Sequence, residues 1–166
     1  MSRYPLLPDH IREALASITP TRGGSLSYYP CRVSLKDGST LNTVYIEPEK
    51  PYLRCWGVYQ ENDRGKWSVR IEDVLSVEDS PTRLPAQFAN EVYDAGESGM
   101  GFTIFTVEFA DGRTQAYATG NAVDFIRYPT GCGPEDVVAV KPHQGRNANP
   151  VSAPQWFWCL YSEEED

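Results

Sequence analysis

Tyr93-Asp-Ala-Gly-Glu-Ser-Gly-Met-Gly-Phe-Thr-Ile-Phe-Thr-Val-Glu-Phe109 is the stretch whose reading decides the fold. It begins where a helical stripe of Leu84, Phe88 and Val92 stops. Pro85 fits the first turn of that helix, and Gly96 suits the left-handed position past its end. A loop with Gly96, Gly99 and Gly101 follows. Phe105, Val107 and Phe109 then alternate with Thr106 and Glu108, the period of a half-buried strand. Asp111-Gly112 comes next, a strong hairpin signal. A two-residue turn there would set Phe109 opposite Thr114, Val107 opposite Ala116 and Phe105 opposite Ala118.

The same grammar occurs upstream. Cys31, Val33 and Leu35 alternate with Arg32, Ser34 and Lys36; Asp37-Gly38 follows, and Thr40 to Ile46 resumes a β-rich composition. Val33-Ser-Leu-Lys-Asp-Gly38 matches Val107-Glu-Phe-Ala-Asp-Gly112 at an offset of 74. Glu72-Asp-Val-Leu-Ser-Val77 matches Glu135-Asp-Val-Val-Ala-Val140 at an offset of 63. The difference falls in the excursion between Pro48 and Lys66. There Glu47 to Pro51 reads as a loop, Tyr52 to Tyr59 as a strand, and Glu61 to Gly65 as a turn. Trp67, Val69 and Ile71 alternate as a further strand, and Val123 to Tyr128 is a short strand or a helical turn.

Each half is thus a hairpin, further strands, an acidic corner and a closing strand. That order resembles a small SH3-like barrel in pattern only. The expected fold is mainly β (a β-rich α+β chain): two tandem SH3-like small barrels or half-barrels packed together, with two short helices. The first helix covers residues 8–18, capped by Asp9, with Ile11, Leu15 and Ile18 on one face. The expected segments are 1–27 (helix and loop), 28–81 (first β module), 82–101 (helix and glycine loop), 102–142 (second β module) and 143–166. From Lys141 to Pro154, across the start of the last segment, the chain has no periodicity and reads as a tether. Trp156 to Tyr161 needs burial as an edge strand or plug, and Ser162 to Asp166 is an acidic tail.

Composition narrows function. The hydrophobic fraction is 40%, with 10 Tyr, 6 Phe and 4 Trp, enough for a packed core. A net charge of −8 disfavours binding to nucleic acid, which needs clustered cations. The four cysteines form no C-x-x-C pair and neither histidine lies near them in sequence, so no zinc site and no cofactor are expected. Pro5, Pro8, Asp9, Arg12 and Glu13 occupy positions where a leader would be apolar, which favours the cytoplasm and free thiols. The longest apolar run, Trp156 to Tyr161, is too short for a bilayer.

No catalytic set stands out. The loop Gly96 to Gly101 runs from helix to strand and lacks lysine, the wrong polarity for a phosphate cradle. Cys132 and His143 are a formal nucleophile and base, but Gly131-Cys-Gly-Pro-Glu-Asp136 is acidic and disfavours a thiolate. The paired carboxylates Glu72–Asp73, Asp94–Glu97 and Glu135–Asp136 suit turns. Asp124 interrupts an apolar run, as a turn cap or a cleft residue. Tyr28, Tyr29, Tyr45, Tyr52, Trp56, Tyr59 and Trp67, with Glu47, Glu49, Glu61 and Asp63 nearby, suggest an aromatic, acidic shelf for a ligand. The expected partner-binding residues are Trp56, Tyr59, Glu61, Asp63, Asp94, Glu97, Met100 and Asp124. The expected function is a non-catalytic acidic protein-binding domain. Its most concrete form is an immunity-type inhibitor plugging the basic cleft of a bacterial toxin or enzyme. The alternatives are an enzyme or enzyme subunit with a cleft between the modules, using the Gly96–Gly101 loop and Asp124, and a peptide-binding adaptor. No nucleic-acid or membrane partner is expected.

Overall fold

The computed structural model describes residues 4–23, 26–56 and 67–163. Its elements are α1 (Asp9–Leu15), β1 (Thr21–Gly23), β2 (Leu26–Leu35), β3 (Thr40–Pro48), α2 (Glu49–Trp56), β4 (Trp67–Ser68), β5 (Val74–Glu78), α3 (Ala86–Asp94), β6 (Thr103–Phe109), β7 (Thr114–Thr119), β8 (Val137–Pro142), β9 (Val151–Ser152) and β10 (Phe157–Tyr161). Single 3₁₀ turns at Ile71–Asp73 and Pro134–Asp136 lead into β5 and β8. The chain is mainly β, with two sheets and three short helices among the described residues. It divides into unit 1 (Met1–Ser80 with Trp156–Asp166) and unit 2 (Pro81–Gln155).

Both Asp-Gly pairs turn hairpins, but with three loop residues instead of two. Gly38 N–H donates to the Leu35 carbonyl and Leu35 N–H to that of Ser39; Gly112 and Phe109 repeat this with Phe109 and Arg113. The glycines take φ of +92° and +91°, the left-handed step such a turn requires. The aspartates select this form. Asp37 accepts from Ser39 N–H at 2.8 Å and Asp111 from Arg113 N–H at 2.9 Å. These bonds, with the Ser39 hydroxyl foremost at Asp37, hold both carboxyl groups below their usual range. The extra residue slips the expected register by one. Val107 faces Gln115, Phe105 faces Tyr117 and Glu108 faces Thr114.

The two units share more than the turn. Leu35 pairs with Val74, Ser34 with Ser76 and Val33 with Val77, with an irregularity between Ser34 and Leu35. Phe109 pairs with Val137, Glu108 with Ala139 and Val107 with Val140, with the irregularity between Glu108 and Phe109. Every partner matches at the offsets of 74 and 63 read from the sequence. Lys36 N–H donates to the Asp73 carbonyl just as Ala110 N–H donates to that of Asp136. In each unit a strand runs parallel to the hairpin's second arm: β10 beside β3, and β9 beside β7.

Unit 1 has the strand order β1-β2-β3-β10-β4, with β5 also on β2. One face carries Cys31, Val33, Val44, Ile46 and Cys159, covered by Ile11 and Leu15 of α1 and by Ile18. The other carries Tyr28, Tyr45 and Trp158. Trp158 stacks on Tyr45 at 4.7 Å between centroids and meets Tyr52 of α2 edge-on at 5.2 Å. Burial on both faces explains why β3 is interior from Thr43 to Pro48 instead of alternating.

Several expectations change here. The loop and strand expected over 47–59 are replaced, at 49–56, by α2, which places Glu49 and Pro51 in its opening turn and turns Tyr52 inward. The strand expected at Trp67–Ile71 shortens to two residues before the 3₁₀ turn. Tyr28, Tyr45 and Tyr52 are interior rather than a surface shelf, and Glu47 and Glu49 are buried beside them in the chain. Trp156–Tyr161 supplies β10, which is no edge strand but lies between β3 and β4. Asp9 opens α1 without a side-chain capping bond; Pro8 stands at the cap.

Unit 2 has the order β8-β6-β7-β9. Phe105, Val107, Phe109 and Tyr117 form its core with Leu84, Val123, Ile126 and Ala89 and Val92 of α3. Val123–Tyr128 is neither a strand nor a helical turn. It runs beside residues 82–84, where Leu84 N–H donates to the Asp124 carbonyl and Ile126 N–H to that of Thr82.

Candidate functional site

The site is built on the glycine loop of unit 2. Beyond α3, Ser98 and Gly99 N–H groups donate to the Phe102 carbonyl at 3.0 and 3.3 Å, and Phe102 N–H donates back to Gly99 at 3.4 Å. The chain therefore folds sharply through Gly99-Met100-Gly101-Phe102. The Glu97 carboxylate accepts the Gly101 N–H at 2.9 Å and fastens the turn from below. The Phe102 ring fills the space where a Cβ on Gly99 would stand, so any side chain there displaces the ring. Arg146 lies over the other part of this assembly. Its guanidinium carbon is 5.4 Å from the Phe102 ring centroid, and Nη2 donates to the Ser98 carbonyl at 3.2 Å.

A second clamp comes from residues 143–146, the stretch expected to be a tether. His143 N–H donates to the Ile104 carbonyl at 2.7 Å, and the Thr106 hydroxyl donates to the Gln144 carbonyl at 2.9 Å. His143 is held at φ +67°, an uncommon conformation for a residue with a side chain. Its Nε2 lies 2.9 Å from the Ala95 carbonyl and its Nδ1 2.8 Å from Ser98 Oγ. A carbonyl only accepts, so Nε2 carries the proton and neutral Nδ1 is the acceptor. In that tautomer Ser98 Oγ–H lies between two acceptors, Nδ1 at 2.8 Å and the Ile104 carbonyl at 3.3 Å, and donates to the nearer, while Ser98 Oγ accepts the Ile104 N–H at 2.8 Å.

The outcome is a tip tied down by these hydrogen bonds. Met100 is 99% exposed at its apex, and Asp94 and Glu97 are exposed on the same stretch. Asp124, expected at the partner surface, is instead fully buried at 0%. Its Oδ2 accepts the Tyr93 hydroxyl at 2.6 Å, and that hydroxyl accepts the Val123 N–H at 3.0 Å, so Asp124 ties α3 to residues 123–126. Tyr59, Glu61 and Asp63 lie outside the described residues, and only the backbone of Trp56, ending α2, lies within them. The sequence reading missed Ser98, Phe102 and Arg146, and weighed His143 only as a base for Cys132. The one hint was the Gly145-Arg146 pair in a tract without periodicity.

Cys132 and His143 do not meet as nucleophile and base. Cys132 Sγ accepts from Arg113 Nη2 at 3.0 Å, while His143 is engaged with Ala95 and Ser98. Burial pushes the Cys132 thiol up; Arg113 opposes this, and Asp111 and Asp136 add to it. Its alkylation by iodoacetamide, read by peptide mapping, is therefore expected to be slower at neutral pH than that of free cysteine. The rate should still be rising at pH about 8.5, where a free thiol is half ionised. A rate matching the free amino acid across the range would contradict this. Cys31 and Cys159 are fully buried, and burial raises the Cys159 thiol.

Among the described residues no group of three or more His, Cys, Asp and Glu is placed to hold a metal ion, and no helix is long and apolar enough to cross a membrane. Compared with protein-family models, with curated proteins and with solved structures, the chain matches none.

Proposed function

We propose that the chain is a non-catalytic protein-binding domain that engages its partner with the Met100 tip. Asp94 and Glu97 supply the flanking negative charge. The observation that carries this reading is an apolar side chain 99% exposed on a turn fixed by Glu97, Phe102, Ser98, His143 and Arg146. Exposing Met costs little free energy but contributes nothing to folding, whereas a partner gains from it in two ways. The thioether adapts to an apolar pocket, and a clamped loop loses little conformational entropy on docking. Carboxylates at the rim of such a contact steer a basic partner.

The most concrete form of the proposal is an immunity-type inhibitor that seats the tip in the basic cleft of a toxin. A net charge of −8 suits that partner. The shared registers support reading the two units as tandem copies of one small β module, with unit 2 having acquired the tip.

Capture from the native host, read by mass spectrometry, tests the proposal. One stoichiometric basic protein should be retained by the wild type. Asp94→Lys/Glu97→Lys should slow its association and weaken the salt dependence. Many unrelated peptides would favour an adaptor instead. Association unchanged by reversing both charges would overturn the steering role of these acids.

A further inference from the structure

Ser98 and His143 have a geometry that a turn clamp alone does not require. The hydroxyl donates to the imidazole at 2.8 Å, and the imidazole is oriented through its other nitrogen by the Ala95 carbonyl at 2.9 Å. Nucleophile, base and orienting group are thus in line. One further feature favours negative charge on the hydroxyl oxygen: the Ile104 N–H points into Ser98 Oγ at 2.8 Å, nearer than the Ile104 carbonyl at 3.3 Å. Ser98 is half-buried and His143 exposed. The left-handed backbone at His143 is the strained conformation found where a side chain must be held in one direction.

We propose that Ser98 and His143 form an acyl-accepting pair for small activated esters or thioesters. The Ser98 Oγ lone pair forms a bond to the acyl carbon as the hydroxyl proton passes to His143 Nδ1. The bond from that carbon to the leaving oxygen or sulfur then breaks, and the proton follows to the leaving group. The product is an O-acyl serine, with no change of oxidation state. This inference does not rest on the binding role of Met100.

The test uses the full chain and p-nitrophenyl acetate, with acetylation of Ser98 measured by peptide mapping. His143→Gly is the informative variant, because glycine accepts the backbone conformation at 143 without strain and leaves a space the size of the ring. The wild type should acetylate at Ser98 about 10²-fold faster than His143→Gly, the lower range for a positioned general base. Added imidazole should restore Ser98 acetylation in His143→Gly. Because imidazole itself hydrolyses the ester, the adduct on Ser98 is scored and not ester consumption. Three results would each overturn the proposal: no Ser98 adduct in the wild type above that of the urea-unfolded chain, equal rates in wild type and His143→Gly, or loss without rescue by imidazole.

Discussion

Trp158→Ala is expected to cost unit 1 about 3–5 kcal/mol, the range for truncating a large aromatic in a packed interior. Trp158 is 2% exposed and lies on β10, between β3 and β4. Its ring stacks on Tyr45 and meets Tyr28 and Tyr52 edge-on, so truncation opens a void that three rings line. The neighbours cannot close in, because Tyr28 and Tyr45 stand on hydrogen-bonded strands. A loss of that size is about a fifth or more of the stability of an ordinary domain. With a urea slope of about 2 kcal/mol per molar, the midpoint should fall by about 2 M. All four tryptophans lie in unit 1, so emission from the remaining three reports its unfolding selectively. A midpoint within a few tenths of a molar of wild type would show that the aromatic layer is not the interior described.

Gly145→Ala is expected to destabilise unit 2 by about 3 kcal/mol, from a strained backbone together with overpacking. Gly145 sits at φ +109°, which L side chains rarely adopt. A Cβ there would stand 2.6 Å from the Ala116 Cβ and 2.7 Å from Thr106 Oγ1. Neither neighbour yields easily, since Thr106 is on β6, Ala116 is on β7, and the two are paired. The turn must lift instead, which breaks the Thr106–Gln144 bond and pulls His143 and Arg146 from the loop. Far-UV circular dichroism against urea measures the loss. The Met100 methyl resonance should sharpen at the same time, as the tip comes free. An unaltered midpoint and linewidth would show that residues 143–146 do not clamp the tip.

Much of the scaffold was legible in the chain, for local reasons. Alternation at Val33–Leu35 and at Phe105–Phe109, with an Asp-Gly pair after each, is enough to specify a hairpin. Ile11 and Leu15 likewise mark a docked helix, though it ends at Leu15 and Ile18 packs from beyond it, short of the span 8–18 expected. The offset pairs were legible because a closing strand must present the same face in both units. The turn length was not, since it depends on an aspartate carboxylate reaching the N–H two residues on. Nor was α2, because Tyr52 to Trp56 has strand-like composition, and the burial of Tyr52 beneath the helix is decided only by packing. The position of β10 was hidden because both strands it pairs with, β3 and β4, lie far back in the chain.

The site divides along the same line. Asp94, Glu97 and Met100 fall within seven residues, and glycines around them announce an exposed loop. Ser98 and His143 are 45 positions apart and meet only through the pairing of β6 with β8. Asp124 was conspicuous in sequence for breaking an apolar run, and the structure buries it against the hydroxyl of Tyr93.

The most direct measurement of the Met100 tip's role is the dissociation rate of the captured partner from the wild type and from Met100→Ala. The substitution touches no clamp residue and removes only the exposed thioether arm. The partner should leave about tenfold faster or more, a loss of about 1.4 kcal/mol or greater, while the association rate stays nearly constant. Equal dissociation rates, with the variant folded as the wild type is, would contradict a partner contact centred on this tip.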